Sequence, residues 1–215
     1  SDTYMKHEWR KHEKEFYIPK TKPELVDLPA FKFYTIEGEG NPNSESFGKA
    51  IEALYGASYG IRMMPKKGKV PEGYFEYTVY PLEGVWSLTD SFLENMKEGD
   101  LFTKDDFKYK IMIRQPDFVS SELAHSNLEA VADAKSNELI HSITFESICE
   151  GLCVQMMHIG SYDHERESFD LMEAFCTEHN LERLSPIHRE VYIGDPRKAD
   201  SDKLKTVLRF KVKKL

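Results

Sequence analysis

The chain has no run of about 18 apolar residues, the length a membrane-crossing helix needs, and no signal-peptide pattern. Its three cysteines, Cys149, Cys153 and Cys176, contain no CxxC, so no redox pair or zinc site is spelled out, and all three cannot pair within the chain. A reducing, cytoplasmic setting is expected, with Cys149 and Cys153 on one strand face as small buried apolar residues. Asp163-His164-Glu165-Arg166-Glu167 lacks the second histidine of HExxH, and Gly38-Glu39-Gly40 lacks the third glycine of a dinucleotide loop. No Walker sequence occurs, so no metal, nucleotide, flavin or other cofactor is implied.

Positive charge is also short. The 29 basic residues against 37 acidic ones give a formal charge of -8, which repels a phosphate backbone unless the basic residues cluster. They gather from Lys6 to Lys22 and from Lys203 to Lys214, but glutamates interrupt the first stretch and the second alternates along a strand. Both read as solvated faces, and neither nucleic acid nor membrane is an expected partner. Aromatic rings are abundant: 13 Phe, 11 Tyr and 2 Trp make 12% of the 215 residues, more than the core needs, so some are expected to line a site. Ser1 to Tyr4, before Met5, are left out of the fold reading.

Period-two alternation marks Phe31 to Gly38 as a strand. Asn43 or Ser44 then caps a helix in which Phe47, Ile51, Leu54, Ser58 and Ile61 recur at helical spacing, ending near Met64 because Pro65 cannot continue it. Strands follow from Tyr74 to Tyr80 and on to Trp86, and from Lys108 to Arg114. The second half repeats the plan: a strand from Leu152 to Gly160, a helix from about His164 to His179, and strands His188 to Ile193 and Thr206 to Lys213. Between the halves, Ser120 to about Glu138 reads as an extra helix with Leu123, Leu128, Val131 and Ala132 inward.

The expectation is an α+β fold in a single domain over residues 5–215, with a first βαββ copy at about 31–115, the extra helix at about 120–138 and a second copy at about 150–214. Tandem copies of this unit, which resembles the SHS2 type, would carry pseudo-twofold symmetry, an antiparallel sheet with helices on one face, and a central groove suited to a ligand. Laying Tyr80 on Tyr192 sets Thr78 opposite Glu190, so only the second copy offers a carboxylate there.

Within His188-Arg189-Glu190-Val191-Tyr192-Ile193, alternation puts His188, Glu190 and Tyr192 on one face. A carboxylate and a phenol pointing the same way from a rigid strand are how a general base and a hydrogen-bond donor are presented to a ligand. Among ring faces that carboxylate should be costly to desolvate, raising its pKa toward the range of a working base.

Several stretches resemble the GyrI-like small-molecule-binding family, which also supplies the drug-sensing domain of bacterial multidrug regulators. They are Val154 to Asp163, His188 to Arg197 and Lys203 to Arg209. In the first half, Tyr55 to Tyr59, Gly73 to Glu76, Pro81 to Trp86 and Met112 to Phe118 resemble its stand-alone subgroup. That subgroup includes cyclopropanoid cyclopropyl hydrolases, which detoxify spirocyclopropane DNA-alkylating natural products of the duocarmycin and yatakemycin type. The residues before Phe31 are too few for a helix-turn-helix, which favours the stand-alone reading.

The resemblance implies ring opening by water of a cyclopropane fused to a dienone, a self-protection role. It would use Glu190 as the base and Tyr192 to hold the water or donate to the oxygen, with a planar aromatic molecule between the rings of Tyr55, Tyr59, Trp86, Phe118 and Tyr162. Duller readings stand beside these. Tyr55 and Tyr59, one helical turn apart, also fit core packing, Trp86 fits a lid or a core plug, and Tyr162 fits an anchor for the turn into its helix. His158 shares a face with Val154 and Met156, so a satisfied buried histidine is favoured over catalysis. Glu146 and Glu150 flank the strand entering the second copy, and Glu146 is kept as a ligand contact.

The alternative function is non-catalytic binding, sequestration or sensing of planar or cationic molecules. A third class, a protein-interaction module acting on a partner such as gyrase, fits the acidic balance, and an exposed edge such as the final strand leaves a homodimer open.

Overall fold

A computed structural model describes residues 5–134, 136–195 and 198–215. Ser1 to Tyr4, and Pro196 and Arg197 at the end of the stretch that begins at His188, lie outside the described residues. In chain order the elements are α1 (Trp9–His12), α2 (Lys14–Tyr17), β1 (Glu24–Glu39), α3 (Glu45–Arg62), β2 (Leu82–Leu88), α4 (Asp90–Asn95) and β3 (Phe107–Gln115). Then follow α5 (Ser121–Ala134), β4 (Thr144–Ile159), α6 (Glu165–Glu178), β5 (Leu181–Arg183), β6 (His188–Tyr192) and β7 (Lys205–Lys214). This is a mixed fold of antiparallel strands and helices, and among the described residues no helix is long and apolar enough to cross a membrane.

The chain divides into two compact units: one holds residues up to His7, Phe31–Tyr80 and Trp86–Ser147, the other Glu8–Ala30, Pro81–Val85 and Ile148–Leu215. In the first unit β1 pairs antiparallel with β3, Tyr34 opposite Ile113 and Gly38 opposite Tyr109. Ser44 caps α3 by accepting from the Phe47 amide at 3.2 Å, which satisfies one of the donors every helix start leaves open. The buried stripe of α3 runs through Phe47, Leu54, Ser58 and Ile61, filled in by Ala50, Ala53 and Ala57.

α5 is shorter than its expected span because Asn137 caps a separate 3-10 turn, Glu138–Ser142, by accepting from the Leu139 amide. Its buried stripe is Ala124, Asn127 and Val131, while Leu123, Leu128 and Ala132 are only half-buried. Asn127 donates to the Tyr34 hydroxyl at 3.1 Å and the Ala57 carbonyl at 2.9 Å. A side chain at Gly60 would strike Asn127 and Val131, so that glycine sets how closely α3 and α5 approach.

The expected strand from Tyr74 to Tyr80 does not form; the strand here is β2, beginning at Leu82. The backbone groups that a ladder would need are committed elsewhere. The Glu76 carbonyl accepts from His7 at 2.8 Å, the Thr78 amide donates to the His7 carbonyl at 2.9 Å, and the Tyr77 carbonyl accepts from Arg62 Nε at 2.6 Å. What remains is one isolated bridge, between His7 and Tyr77.

In the second unit β7 is central: β4 pairs with it from Cys153 opposite Lys211 to Ile159 opposite Lys205, β6 sets Arg189 opposite Arg209, and β5 sets Leu181 opposite Lys214. Val154, Met156, Leu208, Phe210 and Val212 pack against Met172 and Cys176 of α6. Each such side chain contributes about 1.5–3 kcal/mol on burial. Two sequence readings are corrected here. Cys149 is exposed while Cys153 is buried. Arg209, read as part of a solvated basic face, is 2% exposed, because the strand face it occupies is covered too.

Candidate active site

The register of β6 on β7 decides which side chains meet. Residues opposite one another in an antiparallel pair share a face, so Glu190, opposite Leu208, projects to the side where Leu208 packs against α6. Arg189, opposite Arg209, projects to the other side. On the α6 side Glu190 is 8% exposed and surrounded by donors. Tyr192 donates its hydroxyl to Glu190 Oε1 at 2.8 Å, and His188 Nε2 lies 3.0 Å from Oε2.

The fourth member is Glu165, the first residue of α6 and also 8% exposed, whose carboxyl hydrogen-bonds Glu190. Burial, reinforced by the negative charge of Glu190, pushes the Glu165 carboxyl up to about 10, so it keeps its proton near neutrality. Burial also pushes Glu190 upward, but hydrogen bonds from His188, Glu165 and Tyr192 outweigh it and hold Glu190 below the ordinary carboxylate value. The expectation that Glu190 itself is raised is therefore corrected: the raised partner is Glu165, and Glu190 stays ionised. One buried carboxyl and one carboxylate share a proton, a division of roles that suits acid–base chemistry.

Tyr162 and Tyr192 meet edge to face with ring centroids 6.2 Å apart. Burial, then the charges of Glu190, Glu165 and Asp195, push the Tyr162 phenol up to about 12, so it remains a neutral donor and ring face. Phe169 packs edge-on against His188 at 4.8 Å. His188, Glu165 and Glu190 each offer a potential ligand atom, all within 4.8 Å of one another, and among the described residues they form the one such trio. Glu190 is engaged by both of the others, through hydrogen bonds from His188 and from the protonated Glu165, which is the bonding of an acid–base cluster.

On the opposite face of β6 the same residue types do something different. Arg189 contacts Glu83 at 3.0 Å and Glu150 at 3.0 Å, and Arg209 contacts Glu150 at 3.0 Å, Gln155 at 3.0 Å and the Phe16 carbonyl at 2.8 Å. Two guanidinium groups thus balance two carboxylates. Burial alone would raise Glu150, but the charges of Arg209 and Arg189 hold it below its ordinary value. Glu150, which the sequence places beside the strand entering the second copy, is a member of this buried network.

Of the residues expected at a site, Glu190, Tyr192 and Tyr162 come together. His158 is buried, with Nδ1 2.7 Å from Ser168 Oγ and Nε2 2.8 Å from the Ser161 carbonyl, so both ring nitrogens are satisfied. It lines a cavity of about 470 Å³ with Ser161, His164 and Leu171; neither this cavity nor a second of about 280 Å³ beside Phe175 and His179 is lined by Glu190. Hydrogen bonding outranks cavity size here, because chemistry needs the carboxylate.

The remaining candidates belong to the first unit. Tyr55 and Tyr59 stack at 6.4 Å on α3, with Tyr59 51% exposed. Trp86 packs against Phe47, Phe107 and Tyr109, and Phe118 against Tyr74, Phe75 and Tyr77. Glu146 accepts from Thr35 and Lys110, each at 2.8 Å, and is half-buried.

A buried acid pair walled by tyrosines, on an antiparallel sheet backed by a helix, is equipment for a small organic molecule. Residues 21–213 match the GyrI-like small molecule binding domain, and the chain belongs to that family. A hydrolase from Listeria innocua of known crystal structure is 32% identical, over 97% of this chain and 100% of that one, with a TM-score of 0.86. An uncharacterized conserved protein from the same species is 34% identical over the same shares, with a TM-score of 0.87. The EcmrR C-terminal domain shares the fold at 17% identity, over 90% of this chain and 98% of that one, with a TM-score of 0.53. No curated protein matches this chain.

Proposed function

We propose that this chain is a small-molecule hydrolase that adds water to the cyclopropane of duocarmycin- or yatakemycin-type genotoxins, a detoxifying activity in the cytoplasm. The observation that carries the reading is an ionised, buried Glu190 held by His188, Tyr192 and a neutral Glu165. A base so placed takes a proton from water as the water oxygen attacks the ring carbon. Tyr192, donating to Glu190, keeps the carboxylate in one orientation, and Tyr162 offers a flat wall. The hydrolase name of the Listeria innocua relative supports the reaction class. The same proposal takes the chain as one domain of two βαββ copies with pseudo-twofold symmetry. Ligand contacts by Tyr55, Tyr59, Trp86, Phe118 and Glu146 are part of it and are tested by substitution.

The experiment is to incubate wild type and Glu190→Gln with a duocarmycin-type cyclopropanoid and follow the mass of the small molecule. Gain of one water with wild type alone is the expected result. Binding without a mass change would instead assign the chain to sequestration or sensing. The single negative charge of the Glu165–Glu190 pair beside two tyrosine rings favours a cationic, planar ligand under that second reading.

A further inference from the structure

Around Glu190 one buried polar atom has no counterpart. Tyr192 and His188 take one oxygen each of the Glu190 carboxylate, and the Glu165 carboxyl bonds Glu190 as well. Glu165 Oε1, however, has no solvent exposure and no hydrogen-bond partner, in a side chain more than nine-tenths buried. Buried acceptors are ordinarily met by protein, water or ligand, since one left bare keeps its whole desolvation cost. The atom belongs to the same carboxyl group that hydrogen-bonds Glu190, so a water donating to Oε1 sits within reach of the base.

We infer that Glu165 is the positioning residue for the attacking water, which donates one O–H to Glu165 Oε1 and the other to Glu190. The inference rests on the hydrolase reading and deepens it. With both hydrogens directed at carboxyl oxygens, a lone pair of the water points away from the pair toward the electrophilic carbon. Its oxygen bonds to the ring methylene, the strained C–C bond breaks, and that electron pair passes through the dienone to the carbonyl oxygen. Glu190 takes the water proton, the phenolate recovers one from solvent, and Glu190 returns its own to solvent. Substrate plus one water gives product, with nothing oxidised or reduced. Glu165 keeps its own proton throughout, donated to Glu190.

Side-chain chemistry supplies the test. Glu165→Leu removes both the acceptor and the donor; Glu165→Gln keeps an oxygen acceptor and an N–H donor in nearly the same shape. Glu165→Leu should lower kcat on the order of 10²-fold with KM little changed, and Glu165→Gln should restore turnover to within about tenfold of wild type. A Gln variant as inactive as the Leu variant, while folded and still binding, would overturn the inference, because the Glu165 proton itself would then be consumed. So would a fully active Leu variant. If wild type adds no water, the hydrolase reading falls on that result alone. The seat is then decided by a high-resolution crystal structure of wild type: a water bridging Glu165 Oε1 and Glu190 upholds it, and a dry Oε1 overturns it.

Discussion

Two buried clusters of charge lie on opposite faces of β6, one residue apart in sequence, and they are balanced in opposite ways. Around Arg189 each carboxylate meets a guanidinium: the charges of Arg209 and Arg189 hold Glu150 below its ordinary value, while burial keeps Glu83 above its own although Arg189 opposes it. Around Glu190 the partners are a histidine, a tyrosine and a second carboxyl, and the cluster lowers its charge by retaining a proton on Glu165. The first arrangement needs nothing further and behaves as a structural fastener. The second keeps a carboxylate and a carboxyl side by side, an unstable choice for a core and a useful one for moving protons.

The largest expected break in this contrast comes from Glu190→Gln, which should cut turnover by roughly 10²–10⁴-fold in the cyclopropanoid mass assay while binding persists. Its stability should match or exceed that of wild type in urea melts, as expected where a site is maintained against stability. Arg209→Ala acts on the other face: stranding Glu150 and Gln155 should cost about 3–5 kcal/mol, read from the same melts, with activity per folded molecule retained. Tyr192→Phe should lower kcat about tenfold by removing one bond to Glu190, and should move the acidic limb of the pH–rate profile upward.

A smaller effect concerns pH. Glu165 faces Glu190, His188 and Tyr162, with Asp195 near Tyr162. In the folded chain it holds its proton up to about 10, whereas unfolded it loses it near 4.5, so its contribution to stability is lost as pH rises across that window. Glu190 and Glu150, both lowered, contribute in the other sense: their stabilisation is present above 4.5 and fades as pH falls. Glu165→Gln should therefore flatten the alkaline decline in urea midpoint between about pH 6 and about pH 9. Smallest of all, a chelator should leave turnover unchanged, separating an acid–base cluster from a metal centre built on the same trio.

Much of this is legible in the amino-acid sequence itself. Alternation along His188 to Tyr192 assigns Glu190 and Tyr192 to one face and Arg189 to the other, because a strand repeats every two residues whatever it packs against. Helix α3 was legible from its Ser44 cap and its apolar stripe. Glu165 was not, since it sits in a run of charges at a helix start, where acidic residues are common for dipole reasons. A signal existed: Glu165, Ser168, Met172 and Cys176 follow helical spacing and form the buried stripe of α6, so a carboxylate occupied a core position. Arg209 and Glu150 gave no local warning, because their partners, Arg189, Gln155 and Phe16, are far from them in sequence. The failed strand at Tyr74 to Tyr80 had the right residues, and lost its backbone partners to His7 and Arg62.

β6 is five residues long, and its register carries a consequence for inheritance. Adding or deleting one residue upstream of Glu190 would turn every following side chain to the reverse face, delivering a carboxylate to the arginines and a guanidinium to the acid pair. Loops elsewhere can lengthen over generations and reshape what the protein accepts, whereas this strand has to be passed on as a block. An insertion scan across the gene would find here a narrow interval of complete intolerance, imposed by two unrelated demands that happen to share one backbone.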